Sequence, residues 1–296
     1  MHQLLRQISV IGVLLAGLSA TAVAAPDYPI QLVRKTTVGT HYGVVANGSQ
    51  EQLLNMSVNG QSMPPKTEVT KVQVSATGEV LAVTPSGRES KARFVIEKAV
   101  INAAGSWSML LPPGTEIVAE CIGTKTVFLV GGSPATTALA TALDVAGIEL
   151  ASDDIANDDQ IFGTKERKKV GDSWSINGAL AAADLAKKGI AIEPSNLTGN
   201  ATLVEEQKSG NQDSLRISAS MAIKNVKIPL PPGMVVESGE FKATFSGLFP
   251  VDVTKRPSRS GMTMDGKFVS AGTSGGKEVA MTLTMKKSTD SEFSSK

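Results

Sequence analysis

Two short motifs place a serine where it could act as a nucleophile. Gly171-Asp-Ser-Trp174 has the order of a lipase-type block, and that chemistry requires a histidine to take the proton of Ser173. His41 lies upstream of this serine, in the opposite half of the chain. Ser274-Gly-Gly-Lys277 has the spacing of a serine–lysine dyad, but its composition is that of a hairpin tip rather than a helix start. The sequence therefore favours a protein that is not an enzyme, and an esterase using Ser173 remains as an alternative.

The chain has too few residues of the kinds that bind metals, nucleotides or nucleic acids. Beyond the first 25 residues the chain has one histidine, His41, and one cysteine, Cys121, whereas a zinc site needs several such ligands. Val130-Gly-Gly-Ser-Pro134 lacks the Lys-Ser/Thr pair of a phosphate-binding loop. Aromatic residues make up 4% of the chain and the basic residues are dispersed, which argues against stacking on single-stranded nucleic acid. We expect no metal, no cofactor and no nucleic-acid partner.

Methionines are the remaining candidates for a binding surface. Met221, Met281 and Met285 lie in runs that alternate between apolar and polar residues. Flexible thioether side chains suit an adaptable apolar surface for a lipid-like ligand or a hydrophobic peptide, and they serve equally well as ordinary core filling. These three residues are the predicted ligand-binding residues.

The elements that would position them are mainly strands. Alternation with a period of two extends over residues 215–223, 241–245 and 279–285, and turn-forming segments such as Asp265-Gly266 separate runs of this kind. Strands with one polar face are typical of antiparallel sheets that are covered on one side. The pattern predicts a mainly β fold of the α+β type.

Helical patterns are confined to short segments that could cover such sheets. Residues 177–188 are rich in alanine and precede Gly189, a plausible stop. Residues 134–146 form a second candidate, with Ser133 as the cap and Gly147 as the end.

A faint internal duplication organises the chain. Residues 86–102 align without a gap on residues 209–225, and Leu111-Pro-Pro-Gly114 recurs as Leu230-Pro-Pro-Gly233. Val38-Gly-Thr-His-Tyr42 recurs in the same order as Val170-Gly-Asp-Ser-Trp174. Three matches in one order predict two related antiparallel β lobes. The predicted boundaries are an N-terminal lobe over 26–150, a charged connector over 151–169, a C-terminal lobe over 170–288 and a disordered tail over 289–296.

The first 25 residues have the pattern of a signal peptide. Arg6 precedes the apolar run 8–18, which is too short to span a bilayer, and Ala22-Val-Ala24 is a small-x-small cleavage site. Removal of Arg6 takes the basic residues from 29 to 28, against 28 acidic ones, so the mature chain carries no net charge to attract nucleic acid or anionic membranes. We expect a periplasmic or secreted protein with no transmembrane segment in the mature chain.

The block Val170-Gly-Asp-Ser-Trp174, preceded by an acidic connector with Ile161-Phe-Gly163 and followed by an alanine-rich helix, resembles a family of uncharacterised exported bacterial proteins that share a Val-Gly-Asp-x-Trp block. The resemblance implies a bacterial envelope or secreted protein and carries no known activity. At the level of the fold, the chain is similar to half-barrel carriers of the lipoprotein type, in which a curved sheet is covered by helices over an apolar groove. We therefore expect a protein that binds an apolar ligand or a partner segment, with a structural or assembly protein of the envelope as the alternative.

Overall fold

The computed structural model describes residues 26–103, 105–187, 189–228 and 230–295, so the predicted signal peptide lies outside the described residues. The described residues form strands β1 (Asp27–Tyr28), β2 (His41–Val58), β3 (Gln61–Ser62), β4 (Lys66–Val83), β5 (Glu89–Ala103), β6 (Ser106–Leu111), β7 (Glu116–Ile122), β8 (Lys125–Val130), β9 (Ser133–Pro134), β10 (Lys168–Lys169), β11 (Ser173–Ser175), β12 (Leu197–Ser209), β13 (Gln212–Lys224), β14 (Met234–Pro250), β15 (Arg259–Ser274) and β16 (Lys277–Ser295). The helices are α1 (Thr137–Val145), α2 (Asp158–Ile161) and α3 (Gly178–Lys187), with a 3₁₀ turn at Pro194–Asn196. None of these helices has the length and apolar character needed to cross a membrane.

Fourteen of the strands form one antiparallel sheet. Its order is β11-β12-β13-β14-β15-β16-β2-β4-β5-β7-β8-β9, with β3 beside β2 and β6 beside β5. The mainly β, antiparallel architecture with few short helices is confirmed. The turn predicted at Asp265-Gly266 is wrong, because both residues lie inside β15, where Asp265 faces Lys242 of β14 and Lys286 of β16. The two halves of the chain are joined rather than separate, because β16 pairs with β2 from Val279↔Val58 to Ser295↔Tyr42.

The predicted disordered tail is wrong. Residues 289–295 are the last part of β16, where each faces a residue of β2. The side chains of this segment also have partners: the ring of Phe293 lies 6.4 Å from that of Tyr42, and Arg259 pairs with Asp290 at 2.9 Å. The polar composition of the tail therefore does not mean a lack of structure.

Two core clusters lie against this one sheet. In the first core cluster, Leu143 and Val145 of α1 pack with Val74, Ile96 and other residues of β2, β4, β5, β7 and β8. In the second core cluster, α3 and the segment before β2 pack against β12–β15, and the buried members include Tyr28, Ile30, Leu32, Trp174, Leu203, Ile217, Phe249 and Phe268. Each half of the sheet is thus covered by one short helix, as the alternation predicts.

The start of α1 differs from the prediction. Thr136 is its cap, and its Oγ1 accepts a hydrogen bond from the amide of Leu139 at 3.3 Å. Ser133 and Pro134 instead form the edge strand β9 beside β8. Proline is tolerated on an edge strand because no neighbour requires its missing N–H group. For α3, the predicted helix and its stop are confirmed, since Gly189 follows with a φ of +83°.

The duplicated segments have parallel surroundings. Arg93 of β5 faces Glu79 of β4 and pairs with it, and Arg216 of β13 faces Glu205 of β12 and pairs with it at 3.0 Å. The two Leu-Pro-Pro-Gly segments also turn alike: Gly114 and Gly233 have φ values of +83° and +88°. The internal duplication itself stays a prediction, which a superposition of the two halves would test.

Candidate functional site

A large cavity lies where the two core clusters meet. This central cavity has a volume of about 1320 Å³ and is bordered by Tyr42 and Leu150 of the first cluster and by Ala181 and Phe249 of the second. Pockets for small ligands usually measure about 300–1,000 Å³, so the space is ample for such a molecule. Its apolar lining also includes Ile161, Phe162, Leu185, Met221, Phe245 and Phe293.

The aromatic wall of the central cavity comes from β14 and the segment after α2. Phe245 and Phe249 are four residues apart on β14, so they point to the same face of the sheet. Phe162 stacks on Phe245 with ring centroids 6.1 Å apart and an interplanar angle of 13°. The indole N–H of Trp174 donates to the carbonyl of Phe162 at 2.7 Å, which fixes the position of that ring. Trp174 itself is buried, with 9% of its surface exposed.

One polar cluster at the cavity joins the two halves of the chain. The hydroxyl of Tyr42 donates to Glu89 at 2.5 Å, and Arg256 donates to the other carboxylate oxygen at 2.7 Å. The guanidinium of Arg256 also lies 3.8 Å from the centroid of the Tyr42 ring, within the range of a cation–π contact. Burial, together with the charge of Glu89, raises the pKa of the Tyr42 hydroxyl. The loop between β14 and β15 is thereby anchored to β2 and β5.

A second cationic group, Arg34, lacks such partners. Its Nη2 donates to the carbonyl of Pro250 at 2.9 Å, and its guanidinium carbon lies 5.7 Å from the centroid of Phe249. Its Nε and Nη1 are buried and have no hydrogen-bond partner. Burial lowers the pKa of Arg34, and the charges of Asp159 and Asp252 oppose that effect. Arg34 is therefore a half-buried cation whose donors are only partly used.

The segment that carries Arg34 is held across the cavity by α2. The carboxylate of Asp159 accepts hydrogen bonds from the amides of Leu32 at 2.5 Å and Val33 at 3.2 Å. The charge of Asp159 acts on Arg34, but the free Nε and Nη1 of the arginine do not reach its carboxylate.

Asp158 is an acidic group that lines the same cavity. It retains an exposed surface, although burial, followed by the charge of Asp159, raises the pKa of its carboxyl group. The exposed surface of Asp158 forms part of the cavity wall.

A second depression, of about 590 Å³, offers less to a ligand. Several of its lining hydroxyls pair with one another: those of Ser49 and Ser288 lie 2.8 Å apart, and those of Thr244 and Thr263 lie 2.5 Å apart. The central cavity has more than twice this volume and is the better candidate.

The methionines predicted to bind a ligand are only partly brought together. Met221 lines the central cavity. Met285 packs against the second core cluster, and Met281 lies in the sheet opposite Ser270 and Met56. Neither Met281 nor Met285 is among the residues that line the cavity. Their role in binding stays a prediction.

The sequence reasoning missed the charged residues of the cavity. Glu89 and Arg256 are far apart in the chain, and Arg34 lies in an irregular segment where no periodicity indicates which way a side chain points. The alternation around Phe245 did indicate one inward-facing ring. Extending the same period to Phe249 would have found the second.

The residues weighed for catalysis lie apart. Ser173 is exposed, and its hydroxyl lies 2.7 Å from that of Thr202. Five strands of the sheet separate β11, which carries Ser173, from β2, which begins at the exposed His41. Ser274 and Lys277 flank the turn of the β15–β16 hairpin, as predicted.

Cys121 is half-buried on β7, and burial raises the pKa of its thiol. Within the described ranges, no three His, Cys, Asp or Glu side chains are grouped to hold a metal.

No protein-family model matches the chain, and no curated protein matches it. Among solved structures, it is similar to an outer membrane channel from Pseudomonas putida F1, with 8% identity, a TM-score of 0.20, and coverage of 88% of this chain and 97% of that one. OmpT, an outer membrane protein of Vibrio cholerae, gives 9% identity, a TM-score of 0.18, and coverage of 85% and 97%. The toluene transporter TodX of Pseudomonas putida gives 9% identity, a TM-score of 0.12, and coverage of 88% and 90%. Similarity at this level carries no argument about the fold or function of this chain.

Proposed function

We propose that this protein is an exported, non-enzymatic carrier that binds one amphiphilic molecule with an apolar chain in the central cavity. The observation that carries the proposal is the cavity itself, with its volume of about 1320 Å³ and its aromatic and aliphatic lining. Ligand sites of this kind combine an apolar wall with a few polar groups that orient the ligand. The predicted signal peptide supports a periplasmic or secreted location.

The shape of the site favours a small molecule over a partner segment. Segment 31–37, α2, α3 and the loop around Arg256 all contribute to its walls. A peptide that added a strand to the sheet would need an unpaired edge, and the central strands that border the cavity, β2, β14, β15 and β16, are paired on both sides. The walls therefore suit a ligand that enters the space between sheet and helices.

The test is a titration of delipidated protein with a fluorescent fatty-acid analogue. We expect saturable binding with one probe per chain. Met221→Lys places a charge on the cavity wall and should abolish this binding, whereas Met109→Lys, at a position that is 66% exposed on β6 and does not line the cavity, should leave it unchanged. Circular dichroism establishes that each variant is folded. Folded native protein with no saturable binding would contradict the proposal.

A structural or assembly role in the envelope is the second candidate. The observation that favours it is the β5–β6 hairpin, which exposes Trp107 and Met109 although both are large and apolar. Exposed apolar groups of this kind mark contact surfaces when they are contiguous. If this hairpin is a contact surface, Trp107→Ser and Met109→Ser together should lower the sedimentation coefficient of an assembly and leave probe binding intact.

Hydrolysis by Ser173 is the least supported reading. Its hydroxyl contacts Thr202, and five strands lie between its strand and the strand of His41. We expect Ser173→Ala to leave unchanged any ester hydrolysis that a purified sample shows. A loss of activity in this variant, with the fold preserved, would restore the esterase hypothesis.

A further inference from the structure

Arg34 differs from the other arginines that the structure describes. Six others form ion pairs with carboxylates, and these are Arg88, Arg93, Arg167, Arg216, Arg256 and Arg259. Arg34 has one hydrogen bond, to the carbonyl of Pro250, while its Nε and Nη1 are buried without a partner. The exception is thus the arginine that lies beside the aromatic wall of the central cavity.

Such a group is costly to the folded state. A buried charge without compensating hydrogen bonds loses its hydration and gains little in return. In native proteins, a buried polar group that lacks a partner calls for a specific explanation. An incoming anion would supply the missing acceptors.

Among the described arginines that line the central cavity, Arg34 is the one without an ion pair. Arg256 is held by Glu89, and Arg88 is held by Asp153 at 2.9 Å. Lys35 and Lys255 also line the cavity, but both are exposed. Arg34 is thus the partly buried cation that has donors without acceptors.

We infer that Arg34 binds the anionic headgroup of the amphiphile, while the apolar chain lies against Phe245 and Phe249. This inference rests on the proposed carrier function and specifies its ligand class. Because Nε and Nη1 are covered in this structure, the side chain must turn from the Phe249 ring toward the cavity. The turn exchanges a cation–π contact for charge-assisted hydrogen bonds, which are the stronger of the two.

The experiment compares two probes that differ only in the headgroup: dansyl-aminoundecanoic acid and its methyl ester, titrated into the delipidated full chain near neutral pH. We expect the native protein to bind the acid about tenfold or more tightly than the ester, as for other hydrogen bonds to charged groups. Arg34→Met should bind both probes equally, with affinity for the ester within about twofold of the native value. Arg34→Lys should keep part of the preference, since it retains the charge.

Arg259→Met is the matched control. Arg259 is an exposed arginine that pairs with Asp290 and does not line the central cavity, so its loss should leave the preference unchanged. Displacement of the probe by dodecanoate and by dodecyl phosphate distinguishes a carboxylate from a phosphate headgroup, and either one supports the inference.

Two results would overturn the inference while leaving the carrier function in place. One is equal binding of acid and ester by the native protein. The other is stronger displacement by dodecyltrimethylammonium than by the two anions, which would point to Asp158 and a cationic ligand. Failure of both probes to bind folded native protein would instead contradict the proposed function itself.

Discussion

At the scale of single residues, the central cavity contrasts a satisfied ion pair with an unsatisfied cation. Glu89 accepts hydrogen bonds from both Tyr42 and Arg256, so that each charge is compensated. Arg34 donates one hydrogen bond, to the carbonyl of Pro250, and its guanidinium lies over the ring of Phe249. The first arrangement stabilises the fold, whereas we expect the second to lower stability, as is common for groups kept for function.

The effect of Arg34 on the free energy of unfolding can be measured directly. Arg34→Met keeps an unbranched side chain on the Phe249 ring and removes a half-buried charge that has one hydrogen bond, to the carbonyl of Pro250. We expect the free energy of unfolding of the ligand-free protein to rise by about 1–2 kcal/mol, because the desolvation penalty disappears. Urea denaturation measures the change. A loss of more than about 1 kcal/mol would mean that Arg34 is structural.

The Tyr42 hydroxyl predicts the response to alkaline pH. Its pKa is raised in the folded state by burial and by the charge of Glu89. The unfolded chain ionises near the ordinary tyrosine pKa of about 10. Above that pH the unfolded state therefore binds fewer protons than the folded state, so the stability that is present at lower pH is lost as pH rises.

Tyr42→Phe removes this titrating group. We expect the variant to be less stable than the native protein near neutral pH and to show a shallower decline of stability above about pH 10. Denaturation curves recorded across this range test the difference. Identical slopes for the two proteins would show that Tyr42 does not carry the alkaline dependence.

At the scale of elements, α1 sits so close to the sheet that a glycine is required beneath it. A Cβ atom on Gly48 of β2 would lie 1.7 Å from the carbonyl oxygen of Val145, at the end of α1. Backbone atoms cannot yield as a side-chain tip can, so the helix or the strand would have to move.

We expect Gly48→Ala to lower the free energy of unfolding by about 2–3 kcal/mol, because it separates α1 from the first core cluster. The matched variant is Gly261→Ala in the same sheet, whose added Cβ would lie 3.2 Å from the carbonyl oxygen of Thr289 and needs only a small adjustment. Chemical denaturation compares the two. Equal effects would contradict the close packing of α1.

Elements with a strong local pattern could be predicted from the sequence, and elements set by tertiary contacts could not. The alternation on β13 and β16 and the alanine-rich run of α3 follow from period and propensity. The start of α1 was missed because Pro134 joins an edge strand, and the end of β16 was missed because β2 supplies its partners. Pairing between distant segments leaves no mark on local composition.

At the scale of the whole molecule, the two core clusters pack against one sheet. The candidate site is the central cavity where they meet. Alternation is the same for a sealed core and for a lined cavity, so the sequence could not decide between them. Arg34 could not be placed either, since it lies outside the described strands and helices. The cavity arises from how segment 31–37 and the loop around Arg256 lie over the sheet.

The shared sheet predicts that both halves unfold together. Because β16 pairs with β2 along 17 residue positions, from Val279↔Val58 to Ser295↔Tyr42, opening one half exposes the edge of the other. We expect a single calorimetric transition whose van't Hoff and calorimetric enthalpies agree. Truncation after Ser288 removes the last seven of these pairs and should lower the midpoint. Two resolved transitions in the full chain would contradict this coupling.

The central claim is that the cavity carries an anionic amphiphile, and native mass spectrometry of protein purified from its own host tests it most directly. We expect a mass increment for one acyl-chain anion per chain in the native protein, and its loss in both Met221→Lys and Arg34→Met. Folded native protein that shows only the mass of the chain, and that binds no fatty-acid probe after delipidation, would contradict the account.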